Sequence, residues 1–262
     1  MRNWIIALFF GCSLSASAQL AKAYKEGPCV LTFAESSYSR LQIKVKRVSF
    51  TLRAFTPDST FTMVFGPDDV HPLYTFRADL RLNRAACDSI IIESQDTMVM
   101  RVQRGSNWTS ERPYMGQLTL RPNLIFLEAI ARVPIEQYIA GVVEAEGGTS
   151  PHQSYHEAQA VLARTWLISN LGKHVEDGYH VKDDQSSQAF KGLAHGKHSG
   201  IIRTAVARTR DTIATHAGKP IIGFYHSNSG GQTVLPNEVC SQKLTYCRAV
   251  LDPFSKKGSK TL

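Results

Sequence analysis

The sequence predicts an α+β protein whose N-terminal portion is rich in β-strands. Apolar and polar residues alternate in residues 30–104, and turn-forming clusters separate the alternating stretches. After a polar segment at residues 105–113, the apolar residues change to helical spacing. We therefore expect a β-rich region at residues 19–112 and a second region of mixed helices and strands at residues 113–262.

The first 18 residues have the pattern of a secretory signal peptide. Arg2 precedes an apolar run at residues 4–14, and Ala16-Ser17-Ala18 supplies the small residues that precede cleavage. We expect export to the periplasm, the cell envelope or the medium. Cys12 offers a lipoprotein interpretation, which the aromatic residues before it disfavour. No later stretch reaches the ~18–20 apolar residues of a membrane span, so no transmembrane segment is expected in the mature chain.

Removal of the signal leaves an even number of cysteines, namely Cys29, Cys87, Cys240 and Cys247. Because an exported chain folds in an oxidising compartment, we expect disulfides. Cys240 and Cys247 would close a short loop, and Cys29 would pair with Cys87 mainly by elimination.

The formal net charge of +8 indicates an anionic partner or surface. For an exported protein the natural candidate is a polymer of the cell envelope. Nucleic acid is excluded as a partner, because the chain has no run of lysine or arginine and no recognisable binding motif, and because the signal directs it away from the cytoplasm.

Two helices are expected early in the second region. Pro134 suits the first turn of one helix, which should end at Gly147-Gly148. The second should begin with Ser150 as its cap and Pro151 as its first residue, and Gly172 should follow its end. Further on, residues 212–216 and 220–225 are expected to form two strands joined by a turn.

Glu144 and Glu146 occupy the last turn of the first expected helix. With Ile139 as the centre of the buried face, Glu146 falls within ~20° of that centre and Glu144 at ~140°. We therefore expect Glu144 to face water and Glu146 to be buried. Burial and the negative end of the helix dipole would raise the pKa of Glu146, as a general acid requires. From periodicity alone, the favoured alternative is structural, with Glu146 bent outwards or paired with Arg164.

Residues 133–146, VPIEQYIAGVVEAE, resemble the signature V-P-L-E-x-Y-L-x-G-V-V-x-x-E of the SpoIID/LytB family of bacterial peptidoglycan enzymes. In that family the final glutamate is the catalytic acid, and it aligns with Glu146. Four further matches keep the family's order: YMGQL at 114–118, AQAVLARTW at 158–166, SQAFKG at 187–192 and YHSNSGGQT at 225–233. The resemblance spans about residues 113–250 and implies a SpoIID-like catalytic domain there.

The resemblance implies a lytic transglycosylase that cleaves peptidoglycan glycan strands, including strands stripped of peptides, without a cofactor. One glutamate would serve as acid and then as base and would leave anhydromuramic ends, whereas hydrolysing glycosidases use two carboxylates. Arg164 is interpreted first as a buried structural partner and second as a substrate contact. The residues expected to bind substrate are Arg164, Gln188, Tyr225, His226, Ser227, Ser229 and Gly230.

Two departures from the family pattern have consequences. Gly147 stands where the family commonly has methionine, which predicts a wider pocket. Ser187 stands where the family has cysteine, and some relatives are thought to bind zinc in that region. Because no thiolate lies nearby, we expect no metal, although His174, His180 and His195 remain as nitrogen donors.

The sequence is less consistent with three other functions. A non-catalytic protein that holds glycan and stimulates a cell-wall amidase is the main alternative, and the intact Glu146 argues against it. A serine hydrolase built on Ser227 or Ser229 with His226 lacks the G-x-S-x-G motif, and adjacent residues of a strand point to opposite faces. Without the family, residues 227–231 are equally well interpreted as a tight turn. Metal-dependent hydrolysis through the histidines of HQSYHE, residues 152–157, lacks the H-E-x-x-H arrangement.

Overall fold

The computed structural model describes residues 23, 25–45, 47–82, 85–147, 150–224, 229–239 and 244–253. The expected signal at residues 1–18 lies outside this part of the chain. Both strands and helices are present, which confirms the α+β class. The strands are β1 (Cys29–Thr32), β2 (Arg40–Val45), β3 (Phe50–Phe55), β4 (Thr60–Phe65), β5 (His71–Phe76), β6 (Asp79–Leu82), β7 (Ala85–Cys87), β8 (Ser89–Arg104), β9 (Asn107–Trp108), β10 (Arg112–Asn123), β11 (Phe126–Arg132), β12 (Val181–Lys182), β13 (Thr215–His216) and β14 (Lys219–Pro220).

Twelve of these strands form one sheet, in the order β12-β1-β11-β10-β8-β2-β5-β6-β7, with β3 and β9 paired to β8 and β4 paired to β3. Strand β8 is long enough to serve two neighbours on one side: its first part pairs with β3 and its later part with β2. Side chains alternate between the two faces of a strand, so residues such as Leu41 and Ile43 of β2 are buried while their neighbours are not.

The sheet continues across the boundary expected near residue 113. Strand β10, which begins at Arg112, pairs with β8 from the β-rich region and with β11 from the second region. Strand β1 lies beside β11 and β12 although it comes from the start of the chain. The two expected regions therefore share one hydrogen-bonded layer.

The helices are α1 (Ile135–Gly147), α2 (Gln153–Asn170), α3 (Ser199–Arg208) and α4 (Pro236–Val239). Helix α1 has the predicted bounds: Pro134 precedes it, and its carbonyl accepts the N–H of Tyr138 at 2.9 Å. Helices α1, α2 and α3 pack on one another, and their apolar faces join those of the sheet in one core. None of the described helices is both long and apolar enough to cross a membrane.

The predicted start of α2 is wrong. The helix begins at Gln153, and its N-cap is His152, whose side chain makes no capping hydrogen bond. Ser150 instead uses its hydroxyl oxygen to accept the N–H of His152 at 3.2 Å, which closes a local turn before the helix. A serine three residues before the start of a helix can form such a turn as readily as a cap, so the sequence pattern does not separate the two.

The predicted pair of strands after α3 is present but shorter than expected, as β13 and β14. The predicted disulfide between Cys29 and Cys87 is wrong, because Cys87 carries a free thiol whose sulfur lies 3.9 Å from the carbonyl oxygen of Ala85. Cys29 and Cys87 lie in β1 and β7, which are far apart in the strand order. The predicted pairing of Cys240 with Cys247 is wrong as well, because Cys247 carries a free thiol; Cys240 itself lies outside the described residues.

Candidate active site around Glu146

Glu146 lies in the last turn of α1 and its side chain is exposed, whereas Glu144 is half-buried. The expectation that Glu146 would be buried and Glu144 would face water is therefore wrong. The buried residues of α1 stop at Val143, so the core no longer covers the helix in its last turn. A phase calculated from Ile139 assumes that the buried face continues to the helix end, and here it does not.

One oxygen of the Glu146 carboxylate is held and the other is open. The N–H of Ala189 donates to Oε1 at 2.9 Å. Within the part of the chain that the structure describes, Oε2 has no hydrogen-bond partner. The side chain is therefore oriented by the backbone of a distant loop and keeps one oxygen available to a molecule in solvent.

The loop that carries Ala189 is fixed against α1 by close packing. The ring of Phe190 is buried and lies 4.9 Å, centroid to centroid, from the ring of Tyr138. A Cβ built on Gly141 would lie 2.5 Å from Cε2 of Phe190 and closer still to the carbonyl oxygen of Gly192. Only glycine at position 141 allows this approach, which places the Ala189 N–H beside the end of the helix.

Glu144 is bonded to the backbone through both of its oxygens. Oε2 accepts the N–H of His195 at 3.0 Å, and Oε1 accepts the N–H of Gly196 at 2.9 Å. The imidazole of His195 lies 3.7 Å from Oε2. Glu144 therefore holds the loop that leads into α3, and its carboxylate oxygens are not available in the way that Oε2 of Glu146 is.

Gln188, predicted to bind substrate, is 1% exposed. Its Oε1 accepts the hydroxyl of Tyr138 at 3.4 Å, and its Nε2 donates to the carbonyl of Ala163 at 3.4 Å. Both ends of the amide are thus engaged inside the protein. Gln188 lies in the protein interior and ties the loop before Ala189 to α1 and α2, so it helps to position the loop that contacts Glu146.

Arg164 is also interior, and its side chain is 3% exposed. Its guanidinium forms a bidentate ion pair with the carboxylate of Glu136, with nitrogen–oxygen distances of 2.6 and 3.1 Å. The same group donates to the carbonyls of Thr212 and Val206. The structural interpretation of Arg164 fits this arrangement, but the partner is Glu136 and not Glu146.

Of the predicted glycine-rich segment, Ser229 and Gly230 are described, while Tyr225, His226 and Ser227 lie outside the described residues. The hydroxyl of Ser229 donates to Oδ2 of Asp252 at 2.7 Å and accepts the N–H of Gly231 at 3.2 Å. Gly230 has φ = 70° and Gly231 has φ = 108°, values that favour glycine. Residues 229–231 therefore form a tight turn that is tied to Asp252.

Ser229 also lines a cavity of about 680 Å³ whose other lining residues include Leu162 of α2, Phe224 and Tyr246. Glu146 does not line this cavity. The described part of the chain thus brings Glu146 and Gln188 together at one loop, and Ser229 lines a cavity beside α2 that Glu146 does not line.

His180 and His156 are buried and hydrogen-bonded within the protein. His180 is buried and its Nδ1 accepts the N–H of Cys29 at 2.8 Å, and burial together with the nearby charge of Arg132 lowers the pKa of His180. His156 is fully buried, and its Nε2 donates to the carbonyl of Ser150 at 2.8 Å. Within the described residues, no group of three or more His, Cys, Asp or Glu side chains could hold a metal ion. The expectation that no metal is needed stays a prediction.

Tyr155 is a residue that the sequence patterns did not identify. It lies in the first turn of α2, and a Cβ built on Gly147 would lie 2.9 Å from both Cε1 and Cζ of its ring. The pocket expected to be widened by Gly147 is therefore filled by an aromatic ring. A glycine beside the candidate acid, followed by an aromatic residue at the start of the next helix, is the sequence signal that could have identified this contact.

Comparisons with known proteins agree with the resemblance seen in the motifs. Residues 126–216 match the family model SpoIID, described as Stage II sporulation protein. Stage II sporulation protein D of Bacillus amyloliquefaciens is 29% identical over 147 residues, which are 51% of this chain and 43% of that protein. The same protein of Bacillus subtilis (strain 168) is 29% identical over 146 residues, with 51% and 43% coverage.

A longer match extends outside the family segment. An uncharacterized protein of Brachyspira hyodysenteriae is 23% identical over 244 residues, which are 86% of this chain and 63% of that protein. The chain thus spans less than half the length of the two Bacillus relatives that it matches. Glu144, Glu146, Arg164 and Gln188 lie inside the family segment, whereas Ser229 and Gly230 lie beyond its end.

Proposed function

The chain belongs to the SpoIID family through residues 126–216, and we propose that it is a peptidoglycan lytic transglycosylase with Glu146 as its general acid and base. The observation that carries the proposal is the state of the Glu146 carboxylate. Its Oε1 is anchored by the Ala189 N–H, and its exposed Oε2 is without a partner among the described residues. A proton donor needs this combination of fixed orientation and access to the substrate.

The chemistry needs one carboxyl group. The protonated Glu146 gives its proton to the glycosidic oxygen as the bond from that oxygen to C1 of the muramic residue breaks. The oxygen of the C6 hydroxyl of the same residue then bonds to C1, and its proton passes to the Glu146 carboxylate. The product is a 1,6-anhydromuramic end, no water is consumed, and the acid is restored.

The neighbouring carboxylate supports this choice over hydrolysis. Hydrolysing glycosidases require a second carboxylate as nucleophile or as base for a water molecule. Glu144, two residues away, has both of its oxygens bonded to the backbone N–H groups of His195 and Gly196. It therefore makes a poor second catalytic group, and a mechanism that uses Glu146 alone is favoured.

Substrate recognition would come from the exposed surface around Glu146 and from the turn at Ser229 and Gly230. We assign Gln188 and Arg164 to positioning, because both are interior. Tyr225, His226 and Ser227 remain proposed contacts of the glycan. The excess of basic residues suits an anionic wall polymer, and we propose that the protein acts in the cell envelope after export.

The test is cleavage of purified glycan strands, with and without stem peptides, followed by mass spectrometry of the products. Anhydromuramic ends are expected from the wild-type protein, also after prolonged treatment with a strong chelator, because no step uses a metal. Glu146→Gln should lower kcat by about 10²- to 10⁴-fold, the usual contribution of a general acid, and should still bind glycan.

Glu176→Gln is the matched control, because Glu176 is another exposed glutamate of the same region, and its turnover should equal that of the wild type. Wild-type turnover in Glu146→Gln would refute the assignment of the acid. Products with reducing ends would indicate hydrolysis. Binding of glycan without any cleavage, together with stimulation of a cell-wall amidase, would favour the non-catalytic alternative.

A further inference from the structure

The residue after the candidate acid is a glycine for reasons of space. Gly147 does not have a positive φ, so its backbone conformation is open to any residue. A Cβ at this position would nevertheless lie 2.9 Å from two ring carbons of Tyr155 and closer still to its hydroxyl. The missing side chain therefore makes room for the phenol of Tyr155 directly beside Glu146.

Tyr155 is placed to meet a ligand. It is 44% exposed, and its hydroxyl has no hydrogen-bond partner among the residues that the structure describes. By contrast, the hydroxyls of the buried Tyr38 and Tyr138 donate to Thr32 and Gln188. A large aromatic side chain that is half open to solvent and has an unused polar tip is the type of group that recurs at binding surfaces.

The ring of Tyr155 is also held in place. The adjacent His156 is fully buried and donates to the carbonyl of Ser150. Its imidazole lies edge-on to the ring of Tyr155, with centroids 5.3 Å apart and planes at 72°. Contacts with Gly147 and with His156 therefore limit the orientations of the phenol, so little conformational entropy is lost when a ligand packs on it.

From this geometry we infer that Tyr155 is a substrate-binding residue that contacts the sugar next to the scissile bond. Successive residues of a helix point about 100° apart, so a group packed on Gly147 flanks Glu146 and does not cover it. A pyranose ring presents C–H groups on its face, and these pack on the electron-rich face of an aromatic ring. The phenol hydroxyl is then free to bond a sugar hydroxyl or acetamido group.

This inference rests on the proposed function. Measuring glycan binding and glycan cleavage separately distinguishes a failure of the inference from a failure of the proposed function. Glycan oligosaccharides without peptides are titrated into the Glu146→Gln protein, which is expected to bind them and to cleave them at a strongly reduced rate. In that background Tyr155→Ala should weaken binding about 10-fold, the loss of one aromatic contact. Tyr155→Phe, which keeps the ring, should stay within about 3-fold, and Phe76→Ala, which removes a 52% exposed aromatic residue elsewhere, should have no effect.

Gly147→Ala tests the same contact without altering Tyr155. Its methyl group must displace the phenol, so glycan binding should weaken to a similar degree as in Tyr155→Ala. The double variant Gly147→Ala/Tyr155→Ala should bind no worse than Tyr155→Ala alone, because the two changes act on one contact. Additive losses would show that the two residues act separately and would overturn the inference.

A purely structural role of Tyr155 predicts a different pattern. Tyr155→Ala would then lower the melting temperature and leave the dissociation constant for glycan unchanged, and this result would overturn the inference while wild-type cleavage stood. If Tyr155→Ala weakened binding but the wild-type protein formed no anhydromuramic products, Tyr155 would remain a glycan-binding residue and the proposed catalytic function would fail.

Discussion

Glu144→Gln should destabilise the fold, because Glu144 accepts two backbone N–H groups with its two oxygens, at 3.0 and 2.9 Å. A glutamine side chain offers one carbonyl oxygen and one NH₂ group. Whichever way the amide turns, the NH₂ group faces either the His195 N–H or the Gly196 N–H. One backbone donor therefore loses its acceptor and meets another donor in its place.

The size of the effect follows from that loss. Leaving one donor without a partner costs about 1–3 kcal/mol when the group is buried. The Glu144 side chain is 20% exposed, so water can partly replace the lost acceptor and the lower half of the range applies, about 1–2 kcal/mol. For a chain of this size, 1 kcal/mol shifts the melting temperature by about 2–4 °C, so a decrease of about 2–8 °C is expected.

The assay is thermal unfolding followed by circular dichroism, measured on the wild type, Glu144→Gln and Glu146→Gln. In Glu146→Gln the amide oxygen can still accept the Ala189 N–H at an exposed site, so stability should change by no more than about 0.5 kcal/mol. Each variant should therefore lose a different property. Glu144→Gln should lose stability and, below its melting temperature, keep most of its turnover, whereas Glu146→Gln should lose turnover and keep its stability. An unchanged melting temperature in Glu144→Gln together with a 100-fold loss of turnover would show that the roles are reversed.

Two further predictions concern stability and packing. Because burial and Arg132 lower the pKa of His180 in the folded state, the unfolded chain takes up the proton first as the pH falls below about 6.5, and stability should be lost as the pH falls towards 5. Urea unfolding at a series of pH values should show this loss, and the loss should be smaller in His180→Gln. An equal dependence of stability on pH in the two proteins would contradict this explanation. Gly141→Ala should lower the free energy of unfolding by about 1–3 kcal/mol, because its methyl group would overlap Phe190 and the carbonyl of Gly192. It should also lower turnover by moving the Ala189 N–H away from Glu146. A variant as stable and active as the wild type would show that the contact is not needed.

The helical pattern of α1 was predictable because its causes are local. Pro134 precedes the helix, apolar residues follow at helical spacing, and Gly147 ends it, as the sequence indicated. The orientation of the two glutamates was not predictable from the same pattern. Glu146 is bonded to a residue 43 positions away, and Glu144 to residues 51 and 52 positions away. Periodicity along one helix contains no information about loops that return from so far along the chain.

The same distinction applies to Arg164 and Gln188. The motifs identified both as residues of the site region, but the side of the protein that each side chain faces depends on how three helices pack. Arg164 of α2 faces Glu136 of α1, and its guanidinium also reaches the carbonyl of Val206 in α3. A motif match records that a residue type is required at a position. Whether the residue touches substrate or supports a neighbour follows only from the packing.

The anchor of Glu146 depends on residues outside the segment that matches the family. Asp183 accepts the N–H groups of Phe33 and Ala34, which lie 150 and 149 positions earlier, and the carbonyl of Asp183 accepts the N–H of Phe190 at 3.1 Å. Phe190 follows Ala189, whose N–H binds Glu146. Strand β11, where the matched segment begins, likewise has both of its partners, β1 and β10, before that segment. Residues near the start of the chain therefore fix the loop that orients the candidate acid, and the β-rich N-terminal portion is part of the structure that builds the candidate active site.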